Sequence, residues 1–193
     1  MEYTPRDKWP QWLRRARTED AKVVVQPNGQ VSWYDGKWYG GTWCDGAWFG
    51  GAWFGGVWLG GVWRGGVWRD GEWHGGVWYG GTWHGGVWRD GTWYDGTWRY
   101  GKWVGGVWHG GVWHNGVWYD GTWRGGVWLG GTWHAGVWYG GTWRCGEWHG
   151  GKWYDGTWYD GTWRGGVWLG GEWLDPTINR LLFASERADI FRN

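Results

Sequence analysis

A five-residue repeat dominates this chain of 193 residues. Of its 31 tryptophans, all but Trp9 and Trp12 lie on one strict grid that runs from Trp33 to Trp173 without an insertion or a deletion. A glycine precedes nearly every grid tryptophan by two residues, so the unit reads Gly-x-Trp-x-(Gly/Asp). Repeats this regular indicate a stack of nearly identical structural units, each of which contacts its neighbours in the stack.

The charged residues of the repeats indicate which way the tryptophans point. Every Lys, Arg, Glu and His of the grid occupies a slot directly beside a tryptophan. Side chains alternate between the two faces of a strand and unpaired charges are costly to bury, so tryptophan faces inward and its two neighbours face water. Because five is odd, each repeat must also bend, and we assign the bend to the fifth residue, a Gly or Asp. The pattern therefore predicts an all-β solenoid of very short strands.

Composition narrows the class of protein. There are 45 glycines but no Gly-X-Y period, which excludes collagen, and the aromatic content of 23% argues against disorder. The formal net charge of +1 provides no global field to attract nucleic acid or an anionic membrane. Cys44 and Cys145 lie too far apart along a stack to form a disulfide. With no apolar signal sequence, we expect a cytoplasmic location, or a virion if the chain comes from a phage.

The number of repeats per coil can be judged from the slots beside tryptophan. When every fourth repeat is taken as one column, all the tyrosines that follow a tryptophan fall on two of the four columns. Grouping by three sorts them less cleanly. This pattern predicts a four-sided coil of roughly 20 residues, with about seven coils stacked ~4.8 Å apart. Recent duplication is an alternative origin of the columns, because residues 117–131 and 157–171 are nearly identical; the coil would then be free to have three sides.

A coil whose sides each hold a small inward residue and, two residues later, a large apolar one resembles the pentapeptide-repeat proteins. Their motif is Ala-(Asp/Asn)-Leu-x-x. Here Gly36 to Gly171 occupy the alanine slot, Thr or Val the Asp/Asn slot and tryptophan the leucine slot, over roughly residues 31–175, an atypical variant. The resemblance implies a right-handed, four-sided β-helix. Some family members mimic DNA and bind topoisomerases, which implies a nucleic-acid enzyme as one alternative partner, although the charges of these repeats nearly cancel.

The two ends are expected to cap the stack, because open strand edges invite aggregation. In the N-terminal cap segment, residues 1–30, we predict a short basic helix within residues 8–18 and a strand at residues 23–25, before a Pro-Asn-Gly turn. In residues 176–193, an Asp-Pro start followed by an apolar stripe predicts a C-terminal helix. This helix could cap the solenoid or dock on a partner.

Two outward surfaces are candidates for binding. With four sides, tyrosines lie beside outward valines on a flat apolar strip that can mark an interface, although both residues are also good strand formers. This candidate interaction surface comprises Tyr79, Tyr119, Tyr139, Tyr159, Val77, Val117 and Val137. A neighbouring column would form a candidate anion ladder, unless nearby aspartates and solvent neutralise it: Arg124, Arg144 and Arg164.

No motif points to catalysis, a cofactor or a metal. Six histidines follow tryptophans, and we interpret them as surface residues, since a structural zinc site needs about four ligands. No nucleophile or carboxylate pair stands in a unique context. We therefore predict a non-enzymatic structural or interaction module, a rod that engages protein partners or itself, with a phage assembly as one setting. A glycan- or ice-binding repeat surface is a further alternative, and we expect neither membrane nor nucleic acid as a partner.

Overall fold

The computed structural model describes residues 2–175 and 180–183. The chain begins with a 3-10 turn at Arg6–Lys8, a single helical turn, α1, at Gln11–Arg14, and strand β1 at Arg17–Val25. β1 pairs in antiparallel fashion with β2, Val31–Gly40, which starts the solenoid. The predicted strand is therefore present but begins earlier, and the predicted basic helix is only one turn.

The N-terminal segment covers the first coil. Trp9, Leu13 and Ala16 are buried, and the Trp12 ring meets the Trp43 ring edge to face at 5.2 Å. Because β1 runs antiparallel to β2, it occupies the strand edge that the first coil would otherwise leave open. The N-terminal segment therefore lies where the sequence analysis placed it, over the strand edge of the first coil.

The solenoid consists of minimal strands joined by bends. Strands β3 to β28 contain two residues each, a grid tryptophan and the residue before it, from β3 at Thr42–Trp43 to β28 at Val167–Trp168. β29, Glu172–Asp175, follows, and neighbouring solenoid strands pair in parallel. The predicted all-β solenoid is confirmed.

The coil has three sides, so the four-sided prediction is wrong. The Trp108 ring stacks on Trp93 at 4.8 Å and on Trp123 at 4.9 Å, and its strand pairs with the strands of those same residues. Each coil therefore takes three repeats of the sequence rather than four. About nine coils form, instead of about seven, over a length of roughly 45 Å at the usual strand spacing.

We name the three sides by their tryptophans, each side taking every third tryptophan of the grid. Side A runs from Trp33 through Trp108 to Trp168, and side B from Trp38 through Trp113 to Trp173. Side C runs from Trp43 to Trp163 and forms a separate nine-stranded sheet.

Three indoles per layer fill the interior. Within a coil, consecutive rings pack edge to face, as Trp103 and Trp108 do at 6.0 Å and 76°, while between coils the rings stack nearly parallel. Every grid tryptophan from Trp33 to Trp158 has no exposed surface. Offset stacking and edge-to-face contact are both favourable aromatic geometries, and this core uses one along its axis and the other around it.

The bend is shared by two residues. The glycine two residues before each tryptophan has a φ of about +91° to +128° from Gly36 to Gly171, a left-handed conformation that disfavours other residues. A Cβ on Gly126 would also lie 2.5 Å from the carbonyl oxygen of Gly111 in the preceding coil. Our assignment of the bend to the fifth residue alone is therefore incomplete, because the next glycine makes the unusual turn.

Backbone hydrogen bonds between coils leave the carbonyl at the fifth position available to indoles. Seven tryptophans donate their Nε1–H to the carbonyl oxygen of the residue 17 positions later, at 3.1–3.2 Å: Trp108, Trp113, Trp123, Trp128, Trp133, Trp138 and Trp143. In another 20 tryptophans, the buried Nε1 has no hydrogen-bond partner. Buried indoles are expected to find acceptors, and these seven do so at the bends, whereas most do not.

The predicted C-terminal helix is wrong where the structure can test it. Within residues 176–193, residues Arg180–Phe183 form strand β30, which pairs in antiparallel fashion with β29. The apolar stripe that we interpreted as helical includes Leu181 and Leu182, which lie on this strand. A short apolar run fits either a strand or a helix, and strand pairing to the last coil decides in favour of a strand. The rest of the predicted helix lies outside the described residues.

Candidate functional site

The predicted Tyr/Val surface is divided among the three sides. Of its seven residues, Tyr79, Tyr139, Val77 and Val137 lie on side A, Tyr159 lies on side B, and Tyr119 and Val117 lie on side C. A spacing of four repeats equals one three-repeat coil plus one side, so each copy moves to the next side. The surface as predicted therefore does not exist as one face.

The predicted anion ladder is divided for the same reason. Arg124 lies on side A, Arg144 on side B and Arg164 on side C, so the three do not stack. Arg144 lies over the Tyr159 ring at 4.3 Å, and Arg164 approaches the Glu147 carboxylate at 3.5 Å. Each arginine thus has different surroundings, although all three occupy the same slot of the repeat.

Side A instead carries a column of outward aromatic residues that the sequence analysis missed. The rings of Tyr79 and Tyr94 stack at 5.0 Å, and those of Tyr94 and His109 at 4.7 Å. The column occupies the slot after tryptophan in the ten successive strands of side A: Tyr34, Phe49, Arg64, Tyr79, Tyr94, His109, Arg124, Tyr139, Tyr154 and Leu169. Reading the sequence in groups of three repeats would have placed these residues in one column.

Cations are inserted into this aromatic column. The Arg64 guanidinium lies between two rings, 5.7 Å from the centre of Phe49 and 5.3 Å from that of Tyr79. The pKa of His109 is lowered by partial burial and by the Arg124 charge, so its neutral form is favoured at pH 7. Neither outward slot of side A contains a carboxylate from Ser32 to Leu169, and the slots also hold Lys152.

Eight aspartates of the repeats lie at the bends instead. Each Oδ1 accepts a hydrogen bond of 2.7–2.8 Å from the N–H of the following glycine at Asp35, Asp45, Asp70, Asp90, Asp95, Asp120, Asp155 and Asp160. Asn115 makes the same bond at 2.7 Å. The aspartates therefore follow the bends between the three sides, whereas the flat sides hold the cations and, on side C, Glu72 and Glu147.

Replacing Asp95 by alanine is expected to destabilise the solenoid by about 0.5–1.5 kcal/mol, because the Gly96 N–H loses its side-chain acceptor. Asp95→Asn keeps that acceptor, as Asn115 shows, and should remain within about 0.5 kcal/mol of the parent. Urea unfolding followed by circular dichroism measures both. Equal losses in the two variants would show that the negative charge matters, rather than the hydrogen bond.

Side C differs from side A because its charges are paired. Glu72 contacts Arg89 at 3.0 Å and His74 at 3.3 Å, and the Arg89 hydrogen bond is the main reason that the pKa of Glu72 is lowered. Glu147 contacts His149 at 3.2 Å and, from the next coil, Arg164. Mutual neutralisation leaves side C with less net attraction for a charged partner.

The histidines do not assemble a metal centre within residues 2–175 and 180–183, where no three His, Cys, Asp or Glu side chains form a suitable group. His134 stacks on His149 at 5.0 Å, rather than on His114 as the four-sided coil would require. No helix in this described part is long and apolar enough to cross a membrane.

No protein-family model matches the chain, and no curated protein is similar enough in sequence to count as a relative. The function must therefore be argued from the three sides of the solenoid themselves.

Proposed function

We propose that this protein is a non-enzymatic rigid rod that binds an acidic surface of a partner protein along side A. The aromatic column with inserted cations and no carboxylate in its outward slots carries this proposal. The proposed surface replaces the predicted Tyr/Val surface and shares with it Tyr79, Tyr139, Val77 and Val137.

Rigidity follows from the core. Each coil is tied to the next by backbone hydrogen bonds of about 2.7–3.0 Å on all three sides, such as Val107 N–H to Gly91 O and Arg124 N–H to Trp108 O. The tryptophans beneath are close-packed and have no exposed surface, so bending the rod would open gaps between stacked rings. A rod with this core holds its outward slots at fixed spacing, which suits extended recognition by a solenoid.

Exposure distinguishes side A from the other sides. Most large apolar side chains that are exposed on the solenoid lie there: Phe49, Tyr79, Tyr94, Tyr139, Tyr154, Val167 and Leu169. Contiguous exposed apolar surface commonly marks an interaction site. The rings cover one another's faces, so the edges, which carry the positive end of the ring quadrupole, are available to a partner. Together with Arg64, Arg124 and Lys152, these edges favour an acidic partner.

The same features count against the other candidates. A second copy laid face to face would bring two cationic surfaces together. Sugar rings pack on aromatic faces, which are covered here. Ice binding would need a regular threonine array, whereas the slots before tryptophan on side A include Val77 and Lys152. DNA mimicry would need acidic sides, so we propose that the likeness to pentapeptide-repeat proteins is one of architecture, with five-residue sides around stacked inward residues.

Charge reversal on side A is expected to abolish partner binding. The variant Arg64→Glu/Arg124→Glu/Lys152→Glu should retain less than about a tenth of the partner captured by the parent from a native lysate, since like charges across an interface cost several kcal/mol. The matched control reverses three charges on side C, at Arg89, Lys102 and Arg164. Quantitative mass spectrometry at two salt concentrations measures retention, and circular dichroism verifies folding. Equal retention by both folded variants would exclude side A as the binding surface.

A further inference from the structure

Side B carries an uninterrupted column of arginine and histidine side chains in the middle of the rod. Successive coils place Arg69, His84, Arg99 and His114 in the slot after tryptophan. Backbone hydrogen bonds fix their register, with His84 N–H donating to Trp68 O at 2.7 Å and Arg99 N–H donating to Trp83 O at 2.8 Å. The three residues from Arg69 to Arg99 therefore lie one above another at the spacing of neighbouring strands, about 4.8 Å.

The two arginines of this column keep their charge unneutralised. Among the residues that the structure describes, neither Arg69 nor Arg99 forms an ion pair, whereas Arg89 on side C contacts Glu72 at 3.0 Å. The other outward slot of these coils is uncharged and holds Val67, Thr82, Thr97 and Val112. The carboxylates nearest in sequence, Asp70 and Asp95, occupy bends and each caps a glycine N–H.

His84 shows the effect of these charges. It is half-buried between its neighbours, and burial followed by the charges of Arg69 and Arg99 lowers its pKa. On side A, the pKa of His109 is lowered by burial and by a single arginine, Arg124. His84 thus has an arginine in the coil before it and in the coil after it, whereas His109 has an arginine in only one of its two neighbouring coils. The two histidines can therefore be compared within the same protein.

We propose that Arg69, His84 and Arg99 bind a doubly charged tetrahedral oxyanion, namely inorganic phosphate or a phosphate monoester. Two guanidinium groups, one coil above and one coil below the imidazole, can converge on a single group seated over His84. Guanidinium forks match the oxygens of phosphate, and a dianion offsets both charges where a monoanion offsets one. The hydroxyls of Thr82 and Thr97 lie in the adjacent slots of the same side. The Arg69 guanidinium lies 5.6 Å from the Phe54 ring centre, within the range of a cation–π contact.

The histidine Cε1–H resonances test this proposal in the intact protein. Titration with inorganic phosphate against sodium chloride of equal ionic strength should shift His84 saturably and raise its pKa. His109 should respond at least about threefold more weakly, and His74, which contacts Glu72, should not respond. Acetate, a monoanion, should have little effect. Equal responses at all histidines, or an equal effect of acetate, would overturn the proposal.

Substitutions give the second part of the test. Arg69→Gln and Arg99→Gln should each weaken phosphate binding about tenfold, equivalent to about 1.4 kcal/mol. Arg144→Gln, on the same side but three coils beyond Arg99, should leave binding unchanged. If neither of the first two variants weakens binding, the assignment is wrong. O-phosphoserine distinguishes the sources: binding as tight as that of inorganic phosphate supports an ester-borne group, and weaker binding supports the free ion.

Discussion

Replacing Gly126 by alanine is expected to destabilise the solenoid by about 3 kcal/mol or more. Gly126 has a φ of +104°, and a left-handed conformation costs other residues roughly 1–2 kcal/mol. A Cβ at this position would also lie 2.5 Å from the Gly111 carbonyl oxygen and 3.0 Å from the Gly111 nitrogen in the preceding coil. Because this neighbour is backbone held by the inter-coil ladder, it cannot yield as a side chain would, and overpacking adds roughly 1–3 kcal/mol. Urea unfolding followed by far-UV circular dichroism measures the loss.

The adjacent glycine provides the matched control. Gly125 occupies the fifth position of its repeat, where an added Cβ would meet the nearest atom, His109 O, at an ordinary 3.6 Å. Another bend of this chain already holds Ala135 at that position. Gly125→Ala should therefore stay within about 0.5 kcal/mol of the parent. A comparable loss in both variants would mean that glycine is needed at both positions for flexibility, and that the close approach of the coils is not decisive.

The sequence was sufficient to predict the architecture of each side. Charges beside tryptophan, as at Lys102 and Glu147, required outward slots, and the odd repeat length required a bend. These two requirements lead to an all-β solenoid without reference to any known protein. Both follow from local physical chemistry, the cost of burying charge and the alternation of side chains along a strand, which any closed coil must satisfy.

The number of sides could not be predicted from the same slots. Outward slots tolerate many residue types, so they can carry a four-repeat pattern that has no structural counterpart. What closes the coil is inside: the turn at each left-handed glycine and the fit of three indoles, as between Trp103, Trp108 and Trp113. From Gly36 to Trp173, every inward slot holds Gly or Trp, so the sequence there has no variation from which a period could be determined.

The wrong number of sides explains why the predicted Tyr/Val surface is divided among the three sides of the structure. Copies spaced four repeats apart return to the same side only at every third copy, which is why Tyr79 and Tyr139 share side A while Tyr119 does not. Tyr94 and Tyr154, which stack on the first two, fall in another column of the four-sided grouping. The grouping of outward residues into surfaces therefore depended entirely on the coil length, and a binding role for the tyrosines stays a prediction.

Truncating Trp108 to alanine tests the core directly and should cost about 3–5 kcal/mol, as large-to-small substitutions of buried aromatic residues do. The variant loses stacking on Trp93 and Trp123 and the hydrogen bond from Nε1–H to Gly125 O at 3.1 Å. Urea unfolding measures the free energy, and near-UV circular dichroism reports the disturbed indole stack.

The half-buried Trp168 in the last turns of the solenoid is the control for this substitution, because it stacks on Trp153 but no later side A tryptophan covers its other face. Trp168→Ala should therefore cost less than about half as much as Trp108→Ala, since a partly exposed site loses less buried area and leaves a smaller cavity. Equal losses of unfolding free energy for Trp108→Ala and Trp168→Ala would indicate that the whole stack unfolds as one cooperative unit. A smaller cost at the end instead supports additive coil-to-coil contacts, in which each tryptophan contributes through the neighbours that it touches.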